Sequence, residues 1–291
     1  MSADSLPAIG DLRLLILDAY DDAGRAGLRR AGATLAGELY RRLLAELRPA
    51  AALDVVEFGA AGFVLPAGVA ITDYDGIVWT GSSMTVHHDT PAVRDQLGFV
   101  RAAFAAKVPS FGSCWAAQIA VTAAGGRCEP NPRGREFGLA RKIALTEAGR
   151  AHPMFAGKPP AFDGLTSHED HIVELPAGAT VLAGNGFSPV QAVAVEHAGG
   201  QFWAVQYHPE YGLVDVADLS IAREAQLVAQ GSFADPEDAA RWRADLRALA
   251  AAPRSEQGPL RFRLGIDDDV LDPAVRLCEL RNWLAVGVGS R

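Results

Sequence analysis

Cys114, His208 and Glu210 are residues whose types and setting can make an activated nucleophile. Cys114 stands between an apolar run, Val108 to Phe111, and a helix-forming segment that opens at Trp115. Such a strand–turn–helix junction faces the crevice beyond the carboxyl ends of a doubly wound sheet. The small neighbours Gly112 and Ser113 permit the sharp turn that lifts a nucleophile out of a sheet. A helix N-terminus favours thiolate over thiol, and its free backbone N–H groups can bind a developing oxyanion. Gln118, about one helical turn on, projects on the same side as the cysteine. Taken singly, Cys114 reads equally well as a small buried residue.

The segment Gln206-Tyr-His-Pro-Glu210 supplies a base and its orienter. Pro209 biases His208 towards an extended conformation. In extended chain, residues i and i+2 point the same way, so His208 and Glu210 share a face and the carboxylate can fix the imidazole tautomer. A lone histidine before proline is more often a loop residue. The two half-signals together, in one chain, point to nucleophilic catalysis.

At this point the sequence resembles a known family. Phe111-Gly-Ser-Cys-Trp-Ala-Ala-Gln118 and Gln206-Tyr-His-Pro-Glu210 are similar to the nucleophile and His-x-Glu motifs of class I glutamine amidotransferase domains. Tyr74-Asp-Gly-Ile-Val-Trp-Thr-Gly-Ser82 resembles the family's strand ending in a glycine turn, and Thr166-Ser-His-Glu-Asp170 its Ser-His-x-Asp segment. The likeness runs over residues 10 to 212 and is strongest to stand-alone proteins similar to the GMP synthase glutaminase domain. It implies a flavodoxin-like fold, no cofactor, and attack of Cys114 on the side-chain amide of glutamine to give a γ-glutamyl thioester. His208, held by Glu210, would then move the proton to the leaving ammonia. The backbone of Trp115 and the Gly81–Ser82 turn would form the oxyanion hole, Gln118 and Asp170 would contact the substrate's α-carboxylate and α-amino end, and His168 would also bind substrate. Two departures stand out: Ala116 where the family has glycine, and Gly81-Ser82-Ser83 where it commonly has Gly-Gly-Pro.

The elements that must position these residues can be read from periodicity. Leu12 to Leu17, Asp54 to Phe58, Gly76 to Trp79 and Val108 to Phe111 read as strands. An acidic turn, Asp18 to Gly27, is expected after the first. Leucines from Leu35 to Leu47, and the segments Pro91 to Ala106 and Trp115 to Ala124, read as helices. Strands alternating with helices predict an α/β, doubly wound, mostly parallel sheet covered on both faces. Beyond Leu139, the short runs Lys142–Leu145, Thr180–Ala183, Gln191–Val195 and Gln201–Val205 leave no room for crossover helices, so mostly antiparallel strands are expected at one side. Helices follow over Val214–Gln230, Pro236–Ala252 and Pro273–Ala285. The expected division is an amidotransferase-like domain over 1–235 and a C-terminal helical extension over 236–291.

Composition bounds the rest. The 291 residues are 49% hydrophobic and 21% charged, ordinary for a protein with a sizeable core. A net charge of −8 argues against nucleic acid or an anionic membrane as the main partner. Three cysteines and no Cys-x-x-Cys pair suit a reducing compartment. The stretch with Asp4 and Asp11 does not read as a signal peptide, so a cytoplasmic location is expected. His168-Glu-Asp-His171 and His87-His88-Asp89 lack the spacing of a zinc helix, and no metal is expected. Arg127 to Gly138 reads as a polar loop beside the crevice, either holding an acidic acceptor or simply solvated. The leading expectation is a glutaminase passing ammonia to a separate synthase subunit. A γ-glutamyl hydrolase or transpeptidase, and a non-catalytic binding protein on the same fold, remain as alternatives. An oligomer is compatible with all three.

Overall fold

The structure, a computed structural model, describes residues 12–288. The segment carrying Asp4 and Asp11, and the last three residues of the expected extension, lie outside the described residues.

A parallel core comes first along the chain. Strands β1 (Arg13–Asp18), β2 (Ala52–Glu57), β3 (Gly76–Trp79) and β4 (Ser110–Ser113) are linked through helices. These are α1 (Asp22–Arg30) and α2 (Ala36–Leu47) between β1 and β2, then α3 (Pro91–Ala106) between β3 and β4. Helix α4 (Trp115–Ala123) follows β4. The later strands are β5 (Arg127–Pro130), β6 (Glu136–Leu145), β7 (Ala161–His168), β8 (Asp170–Glu174), β9 (Ala179–Gly184), β10 (Ala192–His197) and β11 (Gly200–Val205), with the short α5 (Glu147–Ala151) among them. Nine strands make one sheet in the order β2-β1-β3-β4-β11-β10-β9-β6-β7, and β5 pairs with β8 in a separate ribbon. Pairing is parallel from β2 to β11 and antiparallel from β11 to β7.

Alternation along β1 shows how both faces are covered. Leu15 and Leu17 pack with Ile77, Trp79, Val100 and Ile119 beneath α3 and α4. Leu14 and Ile16 turn the other way, to Tyr40 and Leu44 of α2 and to the C-terminal Leu280, Trp283 and Leu284.

Several expectations need correcting. The acidic segment 18–27 is mostly helix: Asp21 caps it by accepting from Gly24 N at 2.7 Å, and the buried Arg25 donates to the carbonyls of Tyr20 and Phe58. Tertiary anchoring here overrides two glycines. The loop over 127–138 is largely strand, because backbone pairing with β8 and β7 absorbs its polar sequence. Gln201–Val205 belongs to the parallel set on its β4 side and is antiparallel only to β10. The helix over 214–230 breaks at Arg223 into α6 (Leu213–Ala222) and α7 (Glu224–Ala229). After α8 (Pro236–Ala251), the segment expected as one helix over 273–285 is three short pieces, Pro273–Arg276, Cys278–Asn282 and a π-helical turn at Trp283–Gly287.

Those last pieces finish the core. Trp283 is 1% exposed and lies against Phe111, with ring centroids 5.8 Å apart. A Cβ on Gly76 would sit 2.8 Å from the Trp283 ring, so β3 needs glycine where the indole docks. Replacing Trp283 with alanine is expected to cost about 3–5 kcal/mol through lost contacts and a residual cavity. Equilibrium urea unfolding measures this, and an unchanged midpoint would contradict the packing described.

Candidate active site

Parallel register brings the two chemical segments together. Val205 of β11 pairs with Ser113 of β4, and Cys114 N donates to Val205 O at 2.7 Å. Both strands therefore end at one level, and Cys114 and the His-Pro-Glu segment leave the sheet side by side.

Cys114 adopts φ 54°, ψ −100°, a left-handed conformation that a residue with a side chain rarely takes. Such strain costs on the order of 1–3 kcal/mol and is held only where the surroundings over-determine it. Here they do. A Cβ on Gly112 would lie 2.4 Å from Trp79 O and 2.5 Å from the Ala116 methyl, so only glycine fits before the turn. The Ala116 methyl is thus accommodated by the bare Gly112. Trp115 opens α4, and its indole Nε1 donates to buried Gln96 at 2.8 Å.

His208 Nδ1 is 2.7 Å from Glu210 Oε1, both residues being buried. The contact arises in a turn at Pro209–Glu210, not in the extended chain expected from the proline. His208 N donates to Leu165 O at 2.7 Å, and the imidazole stacks on Tyr211 with centroids 4.1 Å apart and planes 6° apart. Glu210 also accepts from Ser113 Oγ at 2.7 Å and from Tyr40 OH at 3.2 Å. Neither supporting residue stood out in the sequence. Ser113 had adjacency to Cys114 as its one signal, and Tyr40 had none.

Gly81 lies beside both Cys114 and His208. A Cβ there would lie 2.9 Å from His208 Cε1 and 3.8 Å from Cys114 Cβ, so the glycine gives the imidazole room beside the cysteine. Thr80 Oγ1 donates to Gly81 O at 2.8 Å, which fixes the Gly81–Ser82 peptide, while Ser82 Oγ donates to Ala19 O at 3.0 Å.

Electrostatics bear on the two other thiols and on His208. Burial pushes Cys128 up to about 12 and Cys278 up to about 11, which keeps both as neutral thiols. Burial alone would lower the pKa of His208, but the Glu210 charge and the Cys114 sulfur outweigh it and raise it to about 9. Both of these neighbours favour the protonated imidazole.

A cavity of about 320 Å³ opens over Cys114, and its walls include Ser82, Trp115, Gln118, His168 and Asp170. Gln118 Nε2 lies 3.4 Å from both Asp170 O and Gln206 Oε1. His168 uses both ring nitrogens within the protein, Nε2 with Glu136 at 2.8 Å and Nδ1 with Asp170 O at 2.9 Å. Asp170 meets His87 Nδ1 at 3.4 Å. Burial raises the Asp170 pKa and His87 opposes that. The two histidine-rich segments thus meet through one carboxylate, and among the described residues no cluster of three His, Cys, Asp or Glu suited to a metal occurs. Arg135, from the segment expected beside the crevice, and Arg223, unmarked by any motif, also line the cavity.

Residues 51–217 match the family model for glutamine amidotransferase class-I. The chain belongs to that family. It is 33% identical over 281 residues to a γ-glutamyl-L-1-hydroxyisopropylamide hydrolase of a Pseudomonas species, across 94% of this chain and 92% of the relative. It is 40% identical over 103 residues to the glutamine-hydrolysing GMP synthase of Thermomicrobium roseum, across 35% of this chain but 18% of the synthase. Its fold is that of a solved glutamine amidotransferase from Thermotoga maritima, with a TM-score of 0.65 at 14% identity, covering 97% of this chain and all of that one. The protein is accordingly an enzyme of the cysteine-dependent glutamine amidotransferase type. No helix among the described residues is long and apolar enough to cross a membrane.

His208 is expected to titrate near pH 9 by NMR, against an ordinary value of 6.5. Because folding raises this pKa, the associated stability is complete below about 6.5 and lost as pH rises through about 9. Glu210→Gln should bring the transition down towards 6.5, whereas an unshifted titration would show that the carboxylate does not hold the proton.

Proposed function

We propose that this enzyme hydrolyses the γ-amide bond of γ-glutamyl compounds, with N-substituted amides preferred over free glutamine. The observation that carries the reading is Cys114, strained at the mouth of a helix and open to a cavity, beside a histidine held by a buried carboxylate. The substrate class is supported by likeness over nearly the full length of the Pseudomonas hydrolase.

In this reading the Cys114 thiolate attacks the γ-carbonyl carbon. The oxyanion is held by the N–H of Trp115 and one from the Gly81–Ser82 turn. Protonated His208 gives its proton to the departing amine as the C–N bond breaks, leaving a γ-glutamyl thioester on Cys114. Neutral His208 then takes a proton from water, whose oxygen attacks the thioester, and glutamate leaves as the thiolate re-forms. Glu210 orients the imidazole throughout. Asp170 faces the substrate's ammonium group and Gln118 forms part of the wall, while His168, its nitrogens already bonded, holds Asp170 in place.

The division at residue 236 gives the helical extension a supporting part. Glu279 pairs with Lys158 at 2.8 Å in the interior and accepts from Tyr207 OH, and Arg276 donates to Pro209 O at 3.3 Å. The extension thereby grips the chain on both sides of His208. A second reading, a glutaminase serving a separate synthase subunit, is favoured by the likeness to GMP synthases.

Purified protein is expected to release glutamate from γ-glutamyl-1-hydroxyisopropylamide at least about tenfold more efficiently, as kcat/KM, than from L-glutamine. Cys114→Ala should lower the rate by about a thousandfold or more. The rate should fall as pH rises past about 9, where His208 loses the proton that the leaving amine requires. Turnover of glutamine alone, stimulated by a co-purifying synthase, would select the second reading. Turnover unaffected by Cys114→Ala would refute both.

A further inference from the structure

Among the described residues, the charges around the cavity are matched except at one place. Arg135 is ion-paired with Glu169, and Asp170 faces His87. Arg223 lines the same cavity, yet among the described residues no carboxylate pairs with it. Its guanidinium is held instead by two hydroxyls, Ser167 Oγ and, at 3.2 Å, Tyr20 OH. Burial works against this charge, while the Tyr20 and Tyr211 hydroxyls and the Cys114 sulfur raise its pKa, so it remains a cation. A partly buried guanidinium with no carboxylate partner among the described residues can bind an anion.

Its place relative to the nucleophile is set by a single residue. Ser167 O lies 3.7 Å from Cys114 Sγ, and the hydroxyl of the same serine is held by Arg223. The cation and the sulfur are therefore neighbours of the same serine. A γ-glutamyl group carries an α-carboxylate at the far end of a short flexible chain from the carbonyl that Cys114 would attack. Arg135 is less suited, because Glu169 already takes its charge. The helix break at Arg223, between α6 and α7, is what puts this side chain at the cavity wall.

We propose that Arg223 binds the α-carboxylate of the substrate and so selects α-amino-acid γ-amides over simple amides, an assignment that rests on the γ-glutamyl reading above. The planar guanidinium can grip both carboxylate oxygens while Ser167 and Tyr20 hold its orientation. Asp170, across the same cavity, completes recognition by facing the α-ammonium group.

The test needs no turnover. Alkylation of Cys114 by iodoacetamide is followed by mass spectrometry, with L-glutamate as protecting ligand and 4-aminobutyrate, which lacks the α-carboxylate, as control. In the wild type, glutamate should protect and 4-aminobutyrate should not. In Arg223→Met, the glutamate concentration giving half-protection should rise on the order of 30-fold, with Arg223→Lys in between. Thermal unfolding of each variant checks that the fold is retained, and the lysine variant keeps the test usable should the methionine variant not fold. Equal protection of wild type and Arg223→Met, or equal protection by the two ligands, would overturn the assignment while leaving γ-glutamyl hydrolysis standing. No protection of the wild type by glutamate would overturn the assignment together with its γ-glutamyl premise. The protection pattern without any glutamate release from γ-glutamyl amides would keep the carboxylate site and remove the hydrolase reading.

Discussion

A carboxylate taken out of water must be surrounded by donors, and the structure is organised around one that is. Glu210 is 4% exposed and accepts from three groups, His208 Nδ1, Ser113 Oγ and Tyr40 OH. Each comes from a different part of the chain: the segment after β11, the end of β4 and the middle of α2. Losing any one donor would leave lone pairs of a buried anion without a partner, at a cost of about 1–3 kcal/mol or more. The carboxylate thus ties the histidine to the residue that precedes the nucleophile. The Tyr40 hydroxyl also lies 3.0 Å from Ser113 Oγ, so α2 braces the turn at Cys114 and the histidine's carboxylate partner through one group.

Around this point, strain and close packing support each other. The left-handed backbone at Cys114 is unfavourable alone, but Cys114 N is bonded to Val205 O and helix α4 begins at the next residue. Gly112 leaves room for the Ala116 methyl, and Gly81 leaves room for the imidazole. The family departures at Ala116 and at Gly81-Ser82-Ser83 are therefore absorbed locally. Ser82 even adds a tie, since its hydroxyl anchors the glycine turn to Ala19 behind β1.

The C-terminal pieces show how distant sequence can serve a site. Glu279 is wholly buried and reaches Lys158 and Tyr207, while Trp283 fills the sheet face beneath Phe111. A buried ion pair of this kind is weak evidence for net stability, because desolvation offsets much of the attraction. Its effect here is positional: it fixes which way Tyr207 points, and His208 follows in the chain.

The sequence by itself determined the strand–helix alternation, the Gly76–Trp79 strand, the Pro91–Ala106 helix and the nucleophile and histidine motifs. It could do so because these depend on local rules, namely side-chain periodicity, a proline at a helix start, and glycine beside a sharp turn. Tertiary structure decided the rest. The polar run over 127–138 became strand because neighbouring strands paired with its backbone, and the acidic segment after β1 became helix because Arg25 found carbonyls to bind. Tyr40 and Arg223 carry no motif, and their meaning comes from what the fold sets beside them, a buried carboxylate for one and an open cavity for the other. Hydrogen-bond partners far apart in sequence leave no periodic trace in it, so only the folded chain shows which polar side chains find partners.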